Sequence, residues 1–252
     1  MLQSQINRII KNKYSLLILI LFIIFPSLEI IQLSMQVDES FDPNFAFFLM
    51  GSSKSHMFQI IYLWFLPIYL LLITADCPIE DEVTGYKNII ISKISRKAYI
   101  KNKFMQSFIL CFVIFLVAMS VNLLLCHIVF YGGEWHSYLL MDDSNNKLLT
   151  FGIQHTIILN VIYIFITSLL TGLCGMMATS LSIFFKNKKY TYTSAFFIWY
   201  ILLLGENSIM LGYQPIHEYP LNIIFIIYIR TILIFTLIPL IIYFYEVKYV
   251  EL

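Results

Sequence analysis

The residues of this sequence that could do chemistry are few, and they fall into two groups. In the first, Arg230, Glu29 and Glu206 carry charge inside or at the ends of long apolar runs. A charge in such surroundings is costly and marks a pairing partner, a gate or a ligand contact. Asn122, His127, His155 and Asn160 are further polar side chains in those runs, and no two share a helix face at catalytic spacing. The second group is the charged stretch Ala75–Lys103, ADCPIEDEVTGYKNIIISKISRKAYIKNK. Its acids come first and its bases last, with Gly85 and the apolar run Ile89–Ile91 between them.

Other chemistry is excluded. No G-x-x-x-x-G-K-[ST] phosphate loop is present, so the chain is not expected to bind ATP in that way. H-E-x-x-H and G-x-S-x-G are absent, and the five histidines show no metal-ligand spacing. Cys77, Cys111, Cys126 and Cys174 form no C-x-x-C pair, and none falls in an expected exterior loop where a disulfide framework would form.

The elements that must position these residues are membrane helices. Of 252 residues, 60% are apolar and only 12% charged, at a mean hydropathy of +0.81. A soluble domain runs at about 45–50% apolar and about 25% charged. The net charge of +1 argues against a nucleic-acid partner. A spanning helix needs about 20 predominantly apolar residues. Six runs meet this need: Tyr14–Leu33, Met57–Thr74, Phe104–Phe130, Thr156–Phe185, Tyr190–Leu204 and Leu221–Tyr245. What remains is short loops, with no room for a soluble catalytic domain. Pro26 and Pro67 are expected to bend the first and second spans.

Charge sets the orientation. Arg8, Lys11, Lys13, Lys87, Lys93, Arg96, Lys97, Lys101, Lys103, Lys186, Lys188, Lys189 and Lys248 fall on one side, 13 of the 16 basic residues. Basic loops stay in the cytoplasm, which places both termini inside and the loops near 36–55, 131–150 and 205–220 outside. Before the first span, residues 1–13 put Leu2, Ile6, Ile9 and Ile10 on one face, the pattern of an interfacial amphipathic helix. The first apolar run lacks a small-x-small cleavage site and reads as an uncleaved span. The expected fold is an all-α polytopic membrane protein: residues 1–13 as an interfacial helix and 14–250 as one six-helix domain with its coupling loop at 75–103.

Within that loop, Pro78 and the acids Glu80, Asp81 and Glu82 suit a helix N-terminus. The helix is expected to run to about Ile91, break at Ser92–Ser95, and give way to a basic helix capped by Ser95 that enters the third span. In the fourth span, Ser168, Thr171, Gly172, Gly175 and Thr179 repeat at four residues, a pattern that lets helices approach closely, within the chain or between two chains. Arg230, about nine residues into the sixth span, is expected to pair with Glu29 first and Glu206 second.

The stretch Glu82-x-x-Gly85…Ile89-Ile90-Ile91-Ser92…Ile94-Ser95-Arg96…Tyr99-Ile100…Lys103 resembles the cytoplasmic loop of ABC-2-type transporter permeases. The interfacial helix, six spans and inside termini fit the same architecture. One departure is Lys93-Ile94, where that family often has Pro before Ser-Arg. The resemblance implies that Glu82, Gly85, Ile89, Ile90, Ile91, Ser95 and Arg96 couple the chain to a separate ATPase. Two ATPase copies would carry the ATP and Mg, while this chain binds no cofactor, does no catalysis and pairs with a second, identical or different, permease chain in a bacterial cell membrane. Small permeases of this composition are similar to those that export amphipathic peptides, as in antimicrobial-peptide immunity. Two other classes compete with this reading. An intramembrane enzyme would need convergent polar residues, and an ion-coupled carrier would need inverted repeats.

Overall fold

The structure, a computed structural model, describes residues 13–35, 48–49, 57–133, 147–214 and 219–248. Among the described residues it is helical without strands. The expected interfacial helix over 1–13 lies outside them except for Lys13, and so do large parts of the expected outer loops.

Helix α1 spans Lys13–Ser34 and is apolar around its whole circumference, as expected of a helix with no aqueous side. It runs through Pro26 without breaking. The second apolar run breaks instead: α2, Met57–Trp64, ends before Phe65, and α3, Leu66–Leu70, starts with Pro67 in its first turn, where the missing N–H is harmless. The helices Met57–Trp64 and Leu66–Val83 meet at 57°. A π-helical turn, Leu71–Ala75, joins α3 to α4, Asp76–Val83. Helix α5 is Tyr86–Lys93, and α6, Arg96–Val129, follows.

At 34 residues α6 is about 50 Å long, well beyond a hydrocarbon core of about 30 Å. Helix α7, Lys147–Gln154, leads into α8, Thr156–Phe185. Helix α9 is Lys188–Leu203, α10 the single turn Met210–Tyr213, and α11 Leu221–Lys248. Among the described residues, four helices (α1, α6, α8, α11) are long and apolar enough to cross a membrane, or five spans if the bent pair is one. The expected fifth span, Tyr190–Leu204, is only the 16-residue α9, about 24 Å long.

Helix α8 is the hub, packed against α6, α9, α11 and α3. Its small-residue stripe serves that packing within the chain. A Cβ on Gly172 would stand 3.0 Å from the Phe108 ring, and one on Gly175 2.3 Å from Cys111 Sγ, so only glycine lets α6 approach this closely. The hydroxyls of Thr167, Ser168, Thr171, Ser180 and Ser182 bond back to carbonyls three or four residues earlier, which satisfies them without a partner helix. A polar knot joins α1 to α6. Asn122 Nδ2 donates to the Pro26 carbonyl at 3.0 Å, and its Oδ1 accepts from Phe48 N at 3.2 Å. Asn122 is therefore a tie between elements.

Candidate functional site

The charged side chains of the 75–103 stretch close into a belt around one end of the bundle. Its scaffold is the α4–α5 elbow. The sequence reading had one helix to Ile91, but Gly85 adopts φ +71°, a left-handed conformation open to glycine, and splits it into α4 and α5. The second break falls where expected: Ser95 takes φ +40° and its Oγ accepts from Ala98 N at 3.4 Å, capping α6.

Four carboxylates anchor the belt. Asp81 is fully buried and meets Lys103 Nζ at 2.7 Å, and Tyr99 Oη donates to the same carboxylate at 3.2 Å. Lys103 is itself 4% exposed, so this is an ion pair removed from water on both sides. Glu82 takes Lys87 at 2.5 Å and Lys186, past the end of α8, at 3.4 Å. Asp76 takes Lys188 at 2.7 Å and the Tyr192 hydroxyl at 3.1 Å, both on α9. Glu246, near the end of α11, takes Arg96 at 2.5 Å. The hydrogen bond from Lys188 to Asp76 raises the lysine above its ordinary pKa, against the opposing effect of partial burial. The loop helices are thereby tied to α6, to the end of α8 and to α9 through charge pairs, and Arg96–Glu246 ties α6 to α11.

Beneath the belt, Ile90 packs with Tyr99, Ile100, Phe104 and Ile183. Beside it, Thr74, Cys77, Lys103, Gln106, Ser107, Leu110 and Thr179 line a small cavity with room for about one water molecule. The π-turn places Thr74 there, where its hydroxyl accepts from Thr179 at 3.2 Å.

The nominated coupling residues thus divide by role. Glu82 and Arg96 are ion-pair members, Gly85 is the elbow and Ser95 the cap. The run Ile89–Ile91 does not form one docking face, because Ile90 is buried in the small cluster and Ile91 packs against it. Only Ile89 points out, at 54% exposed, and with Val83 at 78% and Tyr86 at 46% it forms an apolar strip on the elbow. Lys93, Lys97 and Lys101 are exposed nearby in sequence.

The intramembrane charges stand apart from the belt and from one another. Arg230 Nη2 donates to the Asn207 carbonyl at 2.5 Å, in the turn between α9 and α10. Neither Glu29 nor Glu206 forms an ion pair with it, which corrects the expected partnership. Glu29 is buried on α1, one turn beyond Pro26, and Glu206 is exposed in the same turn as Asn207. A main-chain carbonyl accepts a hydrogen bond from the guanidinium without neutralising its charge, and no residue type announces it in a sequence. Sequence reasoning also missed Asp76, Asp81, Lys103, Lys186, Lys188 and Glu246 as site residues. A signal existed in the orientation rule, since those acids share the basic side of the bundle and each would need a base nearby.

Among the described residues no group of three or more metal-binding side chains assembles, and no disulfide joins the four cysteines. His127 and His155 are exposed at helix ends.

No protein-family model matches the chain, and no solved structure matches it. Over 251 residues it is 39% identical to "Uncharacterized protein YybM" of Bacillus subtilis (strain 168), across 99% of this chain and 100% of that protein. Identity at this level over both full lengths, with the belt and its elbow inside the aligned span, means that the chain belongs to the same family as YybM.

Proposed function

We propose that the chain is the transmembrane permease subunit of an ABC-2-type exporter in a bacterial cell membrane, moving an amphipathic substrate such as a peptide. One observation carries the reading: the α4–α5 elbow combines an exposed apolar strip with charge pairs to α6, to the end of α8 and to α9. A partner that engages Val83, Tyr86 and Ile89 and then moves would shift Asp76, Asp81 and Glu82, and α6, α8 and α9 with them. A lever of this kind suits a chain without its own phosphate loop. Two ATPase subunits carry the ATP and Mg, two permease chains form the path, and this chain is neither an enzyme nor a nucleic-acid binder.

In this reading both termini are cytoplasmic and there are six spans: α1, the bent α2–α3 pair, α6, α8, α9 and α11. Helix α9 is a short fifth span, after which the chain folds back into the bundle at α10. The backbone bond from Ile209 N to Leu202 O, 2.9 Å, supports that reversal.

Co-expression with the product of an adjacent gene that carries a phosphate-loop motif tests the proposal, and the absence of any such neighbouring gene counts against it. The two chains should co-purify, and the permease alone should hydrolyse no ATP. Ile89→Asp should abolish the association while leaving thermal stability unchanged, because Ile89 is exposed. Robust ATP hydrolysis by the purified single chain would sink the proposal, as would full association of the Ile89→Asp variant.

A further inference from the structure

The middle of the bundle holds a second polar arrangement, unlike the belt. An unbroken series of aromatic contacts crosses it: Phe22 to Tyr62 at 4.9 Å, Tyr62 to Phe115 at 6.1 Å, Phe115 to Tyr213 at 6.1 Å, Tyr213 to Trp199 at 5.5 Å and Trp199 to Phe235 at 6.1 Å. These residues come from α1, α2, α6, α10, α9 and α11, and each is at least 99% buried. Tyr62 Oη, Trp199 Nε1 and Thr231 Oγ1 lie in or beside this series, fully buried and without hydrogen-bond partners. Tyr163 Oη, on the face of α8 that also carries Thr167 and Thr171, is a fourth such group. All four are donors. Most buried polar groups in native proteins are satisfied, so four buried donors around one core need an explanation.

The centre of the series is Tyr213, and it belongs to α10, the folded-back turn. The polar ties that hold α10 in place are the main-chain bond from Ile209 N to Leu202 O at 2.9 Å, Tyr213 Oη to Thr171 Oγ1 at 3.1 Å, Tyr228 Oη to the Gly212 carbonyl at 3.1 Å, and the clamp of Arg230 on Asn207. Gly205, at φ +96°, begins the segment with a turn open to glycine. Helix α10 contributes one hydroxyl to a chamber whose unmet groups include three hydroxyls, which can donate or accept, and the Trp199 indole N–H, which can only donate.

We propose that this aromatic chamber is a binding site for an apolar ligand bearing carbonyl acceptors, and that α10 fills it as a plug when the ligand is absent. Trp199 Nε1 can only donate and the hydroxyls of Tyr62, Tyr163 and Thr231 can also donate, so an acceptor-bearing apolar ligand is the kind that meets all four, and the aromatic walls exclude water, which would otherwise satisfy them. Backbone carbonyls of a hydrophobic peptide and ester carbonyls of a lipid present the same chemistry. The inference rests on the transport reading for its purpose. Its test needs only the chain itself, so it fails or stands independently of the ATPase.

The full chain in nanodiscs is titrated with a dansyl-labelled amphipathic peptide of Leu and Lys and, separately, with a dansyl-labelled diacyl lipid. Tyr62→Phe, Tyr163→Phe and Thr231→Val each remove a donor and keep the shape. Each variant should keep or raise its Tm, since a donor without a partner contributes nothing to the fold. Each should weaken binding of one probe by about 2- to 10-fold, the range for one lost hydrogen bond. Weakening confined to the peptide, or to the lipid, supports the chamber and identifies the source of the carbonyl. Unchanged binding of both probes in all three variants overturns it. A fall in Tm in all three also overturns it, because the hydroxyls would then be serving the fold.

Discussion

The belt and the aromatic chamber treat buried polar groups in opposite ways. In the belt, Asp76, Asp81, Glu82 and Glu246 each have a cation within 3.4 Å. In the chamber, Tyr62, Tyr163, Trp199 and Thr231 hold donors with no acceptor. The difference follows from charge. An isolated ion in a low-dielectric interior is penalised so heavily that it must be paired or neutralised, whereas an unmet neutral donor costs about 1–3 kcal/mol. Ionic groups are therefore fixed by the fold, while neutral donors can be left for a ligand.

The comparison breaks most directly at Asp81. Asp81→Ala leaves Lys103 charged and buried, and should destabilise by about 3–5 kcal/mol, a Tm loss on the order of 10 °C or more. The double change Asp81→Leu with Lys103→Met should recover most of that loss, since a buried pair can be exchanged for well-packed apolar residues. Thermal melts of both variants in detergent check the point, and a single variant as stable as the parent would remove the belt's claim to rigidity.

Next in size is the seam that holds the two regions in one body. Gly175→Ala puts a methyl 2.3 Å from Cys111 Sγ and should lower stability by about 1–3 kcal/mol. Adding Cys111→Ala should restore part of it, and melting the double variant measures the coupling.

Arg230 sharpens the contrast, because it is a charge at the chamber's margin hydrogen-bonded to a neutral carbonyl. Arg230→Ala should cost about 1–2 kcal/mol through the lost contact to Asn207. Since Glu29 does not share that contact, the losses from Arg230→Ala and Glu29→Ala should add within about 0.5 kcal/mol. A marked departure from additivity in the double variant would restore a direct pairing of the two.

Lys188 gives the smallest effect. Its side chain is half exposed, so Lys188→Gln should cost about 0.2–1 kcal/mol. The folded-state pKa is raised, so the contribution is fully present below the unfolded value of about 10.4 and is lost as pH rises through the folded value. Stability of parent and variant should converge above that pH and stay parallel from pH 6 to 9.

The helical, membrane-spanning character was legible because it rests on composition and run length, which need no tertiary contact. Ser95 as a cap and the break before it were legible for a similar reason, since capping is local. The elbow at Gly85 was not, although the residue was singled out: a glycine in a helical run is tolerated as often as it breaks one, and burial of Asp81 on one side and Ile90 on the other decided the matter. The belt escaped because its pairs join residues such as Arg96 and Glu246, 150 positions apart, and sequence order holds no record of which acid meets which base. Arg230 stood out in the sequence as a charge in an apolar run, but its acceptor belongs to the backbone of Asn207 and has no signature in residue type.

The π-turn at Leu71–Ala75 acts as a phase shifter in the chain. Closing a turn over one extra residue sets everything after it about 100° further round the axis than an unbroken α-helix would. That offset turns Asp76 toward α9 and Asp81 toward α6 while the preceding Leu70 and Leu71 stay in the core. Deleting a single residue from this turn would leave composition, charge and length almost untouched, yet would rotate both carboxylates away from their lysines. A twist of the π-turn into α-helix would release the elbow from two helices in a single step, without any helix having to slide.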